Sequence, residues 1–450
     1  MSGINACYRS RCVLVLLAIC VCATGLRLDA ADEEGVKRLA IVPFTLPTAS
    51  AEKEWLSDGF PRVMAMRLQH LARVKVAVLP RPTTSGPGAL RNPLDSGEAT
   101  AFLQQIRPQG YDVLLQGSFQ QIDGTLRLEI HLWSTRPERQ IGKLLEQAPE
   151  RDPDALGIKL AAAVASALQL SPSEAERRRL EERLTASAEA FERFARALTL
   201  SEASSGEEEV NRAVQLLADA FNLDGKFSAA LRQLADLHFR RGNYASAVDA
   251  YQALLSTIKR DAQVYRMLGA AYFAQGEGSK AIDAFKRGIQ LDPRDPQQYL
   301  DLGLAYAAAN DYENATKALL RALEFKPNDA LAFANLGVVY LLHGNFAAAT
   351  SSLRRAQLLY PSDAMIAYNL GLALMAERTY DQARDQFERA LQQRPDFAPA
   401  AYQLASVYEL IDARQAVIRW KNYLELARGK PGEEAWMTRA QEHLKRSQEP

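Results

Sequence analysis

Leu268-Gly269, Leu302-Gly303, Leu336-Gly337 and Leu370-Gly371 recur every 34 residues, and that fixed period decides how the carboxyl-terminal half of the chain is read. Twelve residues after each glycine stands an alanine (Ala281, Ala315, Ala349, Ala383), and 24 after it a proline (Pro293, Pro327, Pro361, Pro395). Tyr272, Tyr306 and Tyr340 follow three of the four glycines at a constant offset. Each block reads as two short amphipathic helices. The glycine of the first helix and the alanine of the second let two backbones approach, and the proline ends the second helix. One helix pair cannot bury its apolar face alone, so neighbouring blocks must stack, and such an array suits binding rather than catalysis.

These residues resemble the tetratricopeptide repeat, whose 34-residue unit carries Leu-Gly, Tyr, Ala and Pro at these offsets. The frame runs back through Leu234-Ala235, His238, Ala247 and Tyr251 to Ala213, Leu217 and Ala220 before Leu223-Asp224-Gly225. Forwards it reaches Leu404-Ala405 and Tyr408, then slips by one residue at Ala416 and Trp420. About seven repeats are expected, at 187–227, 228–261, 262–295, 296–329, 330–363, 364–397 and 398–431. The first has a stretched turn from Ser201 to Glu209, and the last is degenerate. Leu374 stands in place of the tyrosine, Arg378 in place of the turn glycine, and Gly278 in place of an aromatic. In the tail, 432–450, Trp436, Ala440 and Leu444 fall at i, i+4 and i+8, which predicts one capping helix.

Charge excludes one partner class. Lys and Arg total 54 against 54 Asp and Glu, so nothing points to nucleic acid. Arg9 and Arg11 precede an apolar run from Cys12 to Ala23, the layout of a secretory signal peptide within residues 1–30, with Ala23 and Ala30 as candidate cleavage points. The run is short for a spanning helix. The expected location is therefore periplasmic or otherwise exported, with a membrane anchor through an uncleaved or lipidated amino terminus as the alternative. All four cysteines (Cys7, Cys12, Cys20, Cys22) lie in this segment, so a mature chain would have no thiol chemistry. Cys20 follows Leu17-Ala18-Ile19, where the lipoprotein pattern requires a small residue instead of Ile19.

From 36 to 170 the periodicity changes. Leu39 to Phe44 is a strand-length apolar run. Trp55 to Leu71 is helix-length, with Leu56, Phe60, Val63, Met64, Arg67 and Leu71 on one face, and Val74 to Leu79 is a second strand. Pro80 to Gly97 is a Pro- and Gly-rich loop. A helix (Glu98 to Ile106) and a strand (Asp112 to Ile122) follow. Asp123-Gly124 then turns that strand into the next, Leu126 to Ser134. Ile141 to Ala148 and a helix from Ala155 to Leu168 complete the order β-α-β-α-β-β-β-α, an α/β domain with a mixed sheet. Ala40-Ile41-Val42-Pro43-Phe44, Trp55-Leu56-Ser57-Asp58-Gly59-Phe60 and Tyr111 to Ser118 resemble the amino-terminal domain of the periplasmic protein TolB and its relatives. Thr185 to Phe194 resembles the linker into a first repeat. That resemblance implies a non-catalytic envelope module. Between the two parts, 171–186 reads as a charged helical linker.

Catalytic signatures are missing from the sequence. Gly276-Glu277-Gly278-Ser279-Lys280 lacks the phosphate-loop spacing and falls in a turn between helices. The five histidines (His70, His131, His238, His343, His443) have no metal-ligand spacing, and no cofactor or metal is expected. His238, in the tyrosine position, reads as a packing residue, and Asp58 as a helix-start contact. The tetratricopeptide resemblance implies a concave groove lined by the first helix of each repeat. Its positions here include Leu331, Ala334, Asn335, Val338, Leu341 and Leu342 in one block, and Met365, Tyr368, Asn369, Leu372 and Met375 in the next. Left exposed, these apolar residues would form a surface for a peptide or helix. Asn335 and Asn369 resemble the asparagines that hold a peptide backbone, since an amide both donates and accepts. Upstream the position holds Gln233, Met267 and Asp301. Arg232, Arg240 and Arg266 lie away from the asparagines, so no clamp for an acidic tail is expected.

The expected function is thus a non-catalytic exported scaffold that binds a protein or peptide through this groove. The alternatives are a regulatory or substrate-presenting subunit of an envelope enzyme, for instance one of glycosyl transfer, or partner binding by the α/β domain with repeats that self-associate.

Overall fold

The computed structural model describes residues 36–46, 53–80, 102–104, 106–201 and 206–448. The expected signal segment with its cysteines, the Pro- and Gly-rich loop, much of the helix expected at 98–106 and part of the turn after Ser201 lie outside the described residues. The chain divides into two compact units, with the boundary between Lys259 and Arg260. Among the described residues, no helix is long and apolar enough to cross a membrane.

The first unit holds the mixed sheet. Its strands are β1 (Lys37–Ile41), β2 (Val74–Val78), β3 (Val113–Ile122), β4 (Thr125–Thr135) and β5 (Glu138–Pro149), in spatial order β2-β1-β3-β4-β5. β1 runs parallel to β2 and β3, while β3, β4 and β5 form an antiparallel meander. Asp123 and Gly124 both take positive φ, 47° and 71°, as the two-residue hairpin turn requires. Helices α1 (Glu54–Leu68) and α2 (Pro153–Ala167) cover one face, burying Phe60, Val63, Leu156 and Leu160 against Leu115, Phe119, Leu128 and Ile130. Asp58 lies inside α1, past its first turn, so the helix-start role expected of it is corrected: the helix begins earlier, at Glu54.

The apolar core does not stop where the α/β pattern ends. Helix α3 (Glu174–Glu181) leads to two helical hairpins, α4 (Ala188–Leu200) with α5 (Glu207–Leu223) and α6 (Ser228–Arg240) with α7 (Tyr244–Thr257). Phe191, Phe194, Leu217, Phe227 and Leu237 belong to the same core as the sheet. Helix α4 crosses α1 at Gly59, where a Cβ would stand 2.6 Å from the Ala195 carbonyl oxygen. Phe60 and Trp55 each pack on Phe191 beside this crossing, Phe60 tilted and Trp55 edge-on, with ring centroids 6.0 Å apart. Arg67, 1% exposed, pairs with buried Asp154 and donates to the Leu180 and Glu182 carbonyls at 3.1 and 2.9 Å. Asp154 accepts from the Leu184 amide at 2.7 Å, so one buried ion pair joins α1, α2 and the linker that leads to the repeats. A charge enclosed this way is stable only while its partners remain.

The second unit is a succession of helix pairs: α8 (Ala262–Ala274) with α9 (Gly278–Leu291), α10 (Pro296–Ala308) with α11 (Tyr312–Phe325), and α12 (Ala330–His343) with α13 (Phe346–Leu359). α14 (Ala364–Ala376) with α15 (Tyr380–Gln393), α16 (Ala398–Ile411) with α17 (Ala413–Ala427), and the single helix α18 (Glu434–Gln448) complete it. Pro293, Pro327, Pro361 and Pro395 lie two residues beyond the helices they follow. The next first helix is then capped by a side chain, Asp295, Asp329 or Asp363, that accepts from backbone amides of its first turn. Between paired helices, Gly276, Asn310, Gly344 and Arg378 all take positive φ, so the turn geometry persists where the glycine does not.

The Leu-Gly glycines admit side chains more than they bring backbones together. A Cβ at Gly269, Gly303, Gly337 or Gly371 would stand 2.5–2.7 Å from Phe285, Leu319, Leu353 or Phe387 of the paired second helix. All four of those side chains are buried. Gly337→Ala is expected to destabilise the second unit by about 1–3 kcal/mol, the usual range for overpacking. Urea unfolding of Gly337→Ala, Leu353→Ala and the double variant checks the cause: the double variant should lose less than the sum of the single losses.

Candidate partner-binding face

One register position runs through the first helices of the second unit. Met267, Asp301, Asn335, Asn369 and Gln403 stand 34 residues apart on α8, α10, α12, α14 and α16. The last four are buried, which places a row of polar side chains among Leu304, Val338, Leu372 and other apolar residues of one continuous core. Asn335 is the extreme member. It is 0% exposed, and neither its Oδ1 nor its Nδ2 has a hydrogen-bond partner. Gln403 continues the row beyond the two asparagines. The 34-residue step from Asn369 was the signal for it, and sequence reasoning stopped one repeat short.

The expectation of an exposed apolar face is corrected. Val338, Leu341, Leu342, Tyr368 and Leu372 are buried, as are Asn335 and Asn369, and Met375 is half-buried. The reason is their membership of the same apolar core that holds Leu336, Leu353, Leu370 and Phe387. Tyr368 shows it most clearly, because its ring packs on Phe397 at 5.1 Å and Phe387 at 5.9 Å. Leu331 and Met365 are partly buried against this core. In sequence, a position facing a partner and a position facing the next repeat share the same apolar residue types.

The electrostatics of the row are local. Asp301 is met by Arg266 Nη1 at 3.1 Å and by Gln297 Nε2 at 2.9 Å. Burial pushes its carboxyl above the usual aspartate range, and Arg266 draws it back. Arg266, one repeat upstream, is therefore committed to a carboxylate of the chain itself, and Arg240 donates to the Ser201 carbonyl. Gly276 to Lys280 forms the turn and first residues of α9, where Lys280 pairs with Glu277. His238 is half-buried, and burial lowers its pKa, in keeping with a packing role. Among the described residues, no cluster of His, Cys, Asp and Glu is arranged to hold a metal ion.

Residues 197–442, more than half of the chain, match the family model of the cilia and flagella-associated protein 70 C-terminal domain. No curated protein matches the sequence. Among solved structures, MamA of Desulfovibrio magneticus from residue 41 onward is 23% identical, covering 38% of this chain and 97% of that one with a TM-score of 0.36. PilF of Pseudomonas aeruginosa is 22% identical, covering 48% and 96%, with a TM-score of 0.42. The C-terminal part of a tetratricopeptide repeat-containing protein of Cytophaga hutchinsonii is 16% identical, covering 56% and 99%, with a TM-score of 0.44.

Because the Asp301 carboxyl sits above its unfolded value of 3.8 in the folded chain, the folded state binds the proton more tightly. Its contribution to stability is full below pH 3.8 and is lost as pH rises through the folded value. Asp301→Asn should remove this loss, so its unfolding midpoint relative to the parent rises from acid to neutral pH. Urea midpoints across that range check it.

Proposed function

We propose, for a chain that belongs to the tetratricopeptide-repeat family of the cilia and flagella-associated protein 70 C-terminal domain, that it is an exported, non-catalytic scaffold. It takes a protein or peptide partner on the part of the first helices α12 and α14 that the neighbouring repeats leave uncovered. Tetratricopeptide arrays are generally protein-interaction scaffolds, and the finer reading rests on one observation. Leu331, Met365 and Met375, on the first helices α12 and α14, stay only partly buried, so the accessible part of these helices is apolar. Asn335 and Asn369 are enclosed in the core and do not themselves reach a partner. The charge balance, with Arg266 held by Asp301, favours an uncharged stretch of backbone over an acidic tail.

The α/β domain, in this reading a relative of the TolB amino-terminal module, shares its core with the first two hairpins, so these are packed onto it. Residues 1–30 act as the export signal. The amino terminus of the mature chain, read by Edman sequencing, is expected to follow Ala23 or Ala30; an amino terminus at Met1 in the purified envelope fraction counts against export with cleavage.

Leu331→Asp combined with Met365→Asp, at two partly buried apolar positions, is expected to weaken partner capture from envelope extracts by about tenfold or more. Leu358→Ala, at a side chain 75% exposed, serves as the control and should capture as the parent does. Equal capture by all three chains removes this face from consideration.

A further inference from the structure

The sheet carries a second group of unbonded polar atoms, on the face turned away from α1 and α2. Gln116 of β3 stands directly opposite His131 of β4, and Trp133, two residues further along β4, stands opposite Leu114. Opposed residues of antiparallel strands share a face, and so do residues two apart on one strand. The three side chains therefore rise together from adjacent strands. They are 6%, 8% and 7% exposed, and Gln116 Oε1, His131 Nδ1 and Trp133 Nε1 have no hydrogen-bond partner. The His131 and Trp133 rings lie 6.4 Å apart.

The tautomer of the histidine ring follows from its neighbours. His131 Nε2 meets Glu129 Oε1 at 2.8 Å, and Lys143 Nζ of β5 reaches the same oxygen at 2.9 Å. Lys143 and His131 hold the Glu129 carboxyl below the usual range, so it is ionised and only accepts. Nε2 must then carry the hydrogen, and in the neutral ring Nδ1 is left with a lone pair. The face thus offers two acceptors, Gln116 Oε1 and His131 Nδ1, and one donor, Trp133 Nε1–H.

Two N–H donors and one carbonyl on a small planar group complement that set. We propose that Gln116, His131 and Trp133 form a binding site for a primary carboxamide, its NH2 donating to Gln116 Oε1 and His131 Nδ1 and its C=O accepting from Trp133 Nε1–H. A carboxylate lacks the donors, and a tertiary amide keeps the carbonyl but loses them. The group belongs either to a free small molecule or to a glutamine or asparagine side chain of another protein.

The test uses the full chain and the Trp133 indole N–H resonance, identified by its loss in Trp133→Phe. Propionamide is expected to shift this resonance saturably, while propionate and N,N-dimethylpropionamide leave it in place. An acetylated tripeptide with central glutamine that binds more tightly than propionamide identifies a protein source, and equal or weaker binding a free ligand. Gln116→Leu and His131→Phe should each weaken propionamide binding about tenfold. Gln116→Leu should not lower the melting temperature, because it removes a buried acceptor that lacks a partner, whereas His131→Phe also gives up the Nε2 bond to Glu129 and is expected to lower it. Equal shifts with all three small probes, unchanged affinity in both variants, or a persistent water cross-peak at the indole with no propionamide shift, an ordered water only, would each overturn the site.

Discussion

The repeats depend on one steric condition, room above the glycine of the first helix for a large side chain of the second. At Gly269 and Gly371 that side chain is phenylalanine, and at Gly303 and Gly337 it is leucine. Interiors pack at crystal-like density, so a single methyl group at these points forces one helix away from the other. The ends of the array show the condition being met by other means. Ala405 shares a core cluster with Trp420, and in the second hairpin Ala235 and Tyr251 are both fully buried. Trp420 donates to Glu409 at 2.8 Å and stacks on His443 at 5.1 Å, which ties the last helix pair to α18. The one-residue slip at Trp420 has a local cause: Asp412 alone separates α16 from α17, where most other pairs are joined by two or three residues.

The α/β domain and the first hairpins obey a similar rule. Gly59 gives α4 its crossing point on α1, and the Arg67–Asp154 pair fastens the linker to both helices of the sheet layer. Periodicity placed a domain limit near residue 170, because the alternating pattern ends there. Packing places the limit near 259, because Phe191, Phe194 and Phe227 enter the sheet's core. Pattern marks where secondary structure changes, whereas a compact unit ends where few contacts cross. The isolated Arg67 on an otherwise apolar helical face was the visible sign that something charged would be enclosed there.

Much of the architecture could be read in advance. The mixed sheet of the first domain, the Asp123-Gly124 hairpin and the long succession of helices that follows agree with the structure. Helix starts at Asp295, Asp329 and Asp363 are marked in the sequence by an aspartate two residues after a proline. The candidate face was legible only as positions. Asn335 and Asn369 could be placed on successive first helices, but burial of Val338, Leu341 and Leu372 depends on neighbours far along the chain.

Local spacing by itself determined that this chain alternates strands and helices and then repeats a helix pair, since period, turn residues and caps act within a few residues of each other. Tertiary structure alone decided which side chains are enclosed: that Asn335 has no bonding partner, that Arg266 belongs to Asp301, and that Gln116, His131 and Trp133 stand together. Enclosure is a sum over residues distant in sequence, and no short window of the chain contains that sum.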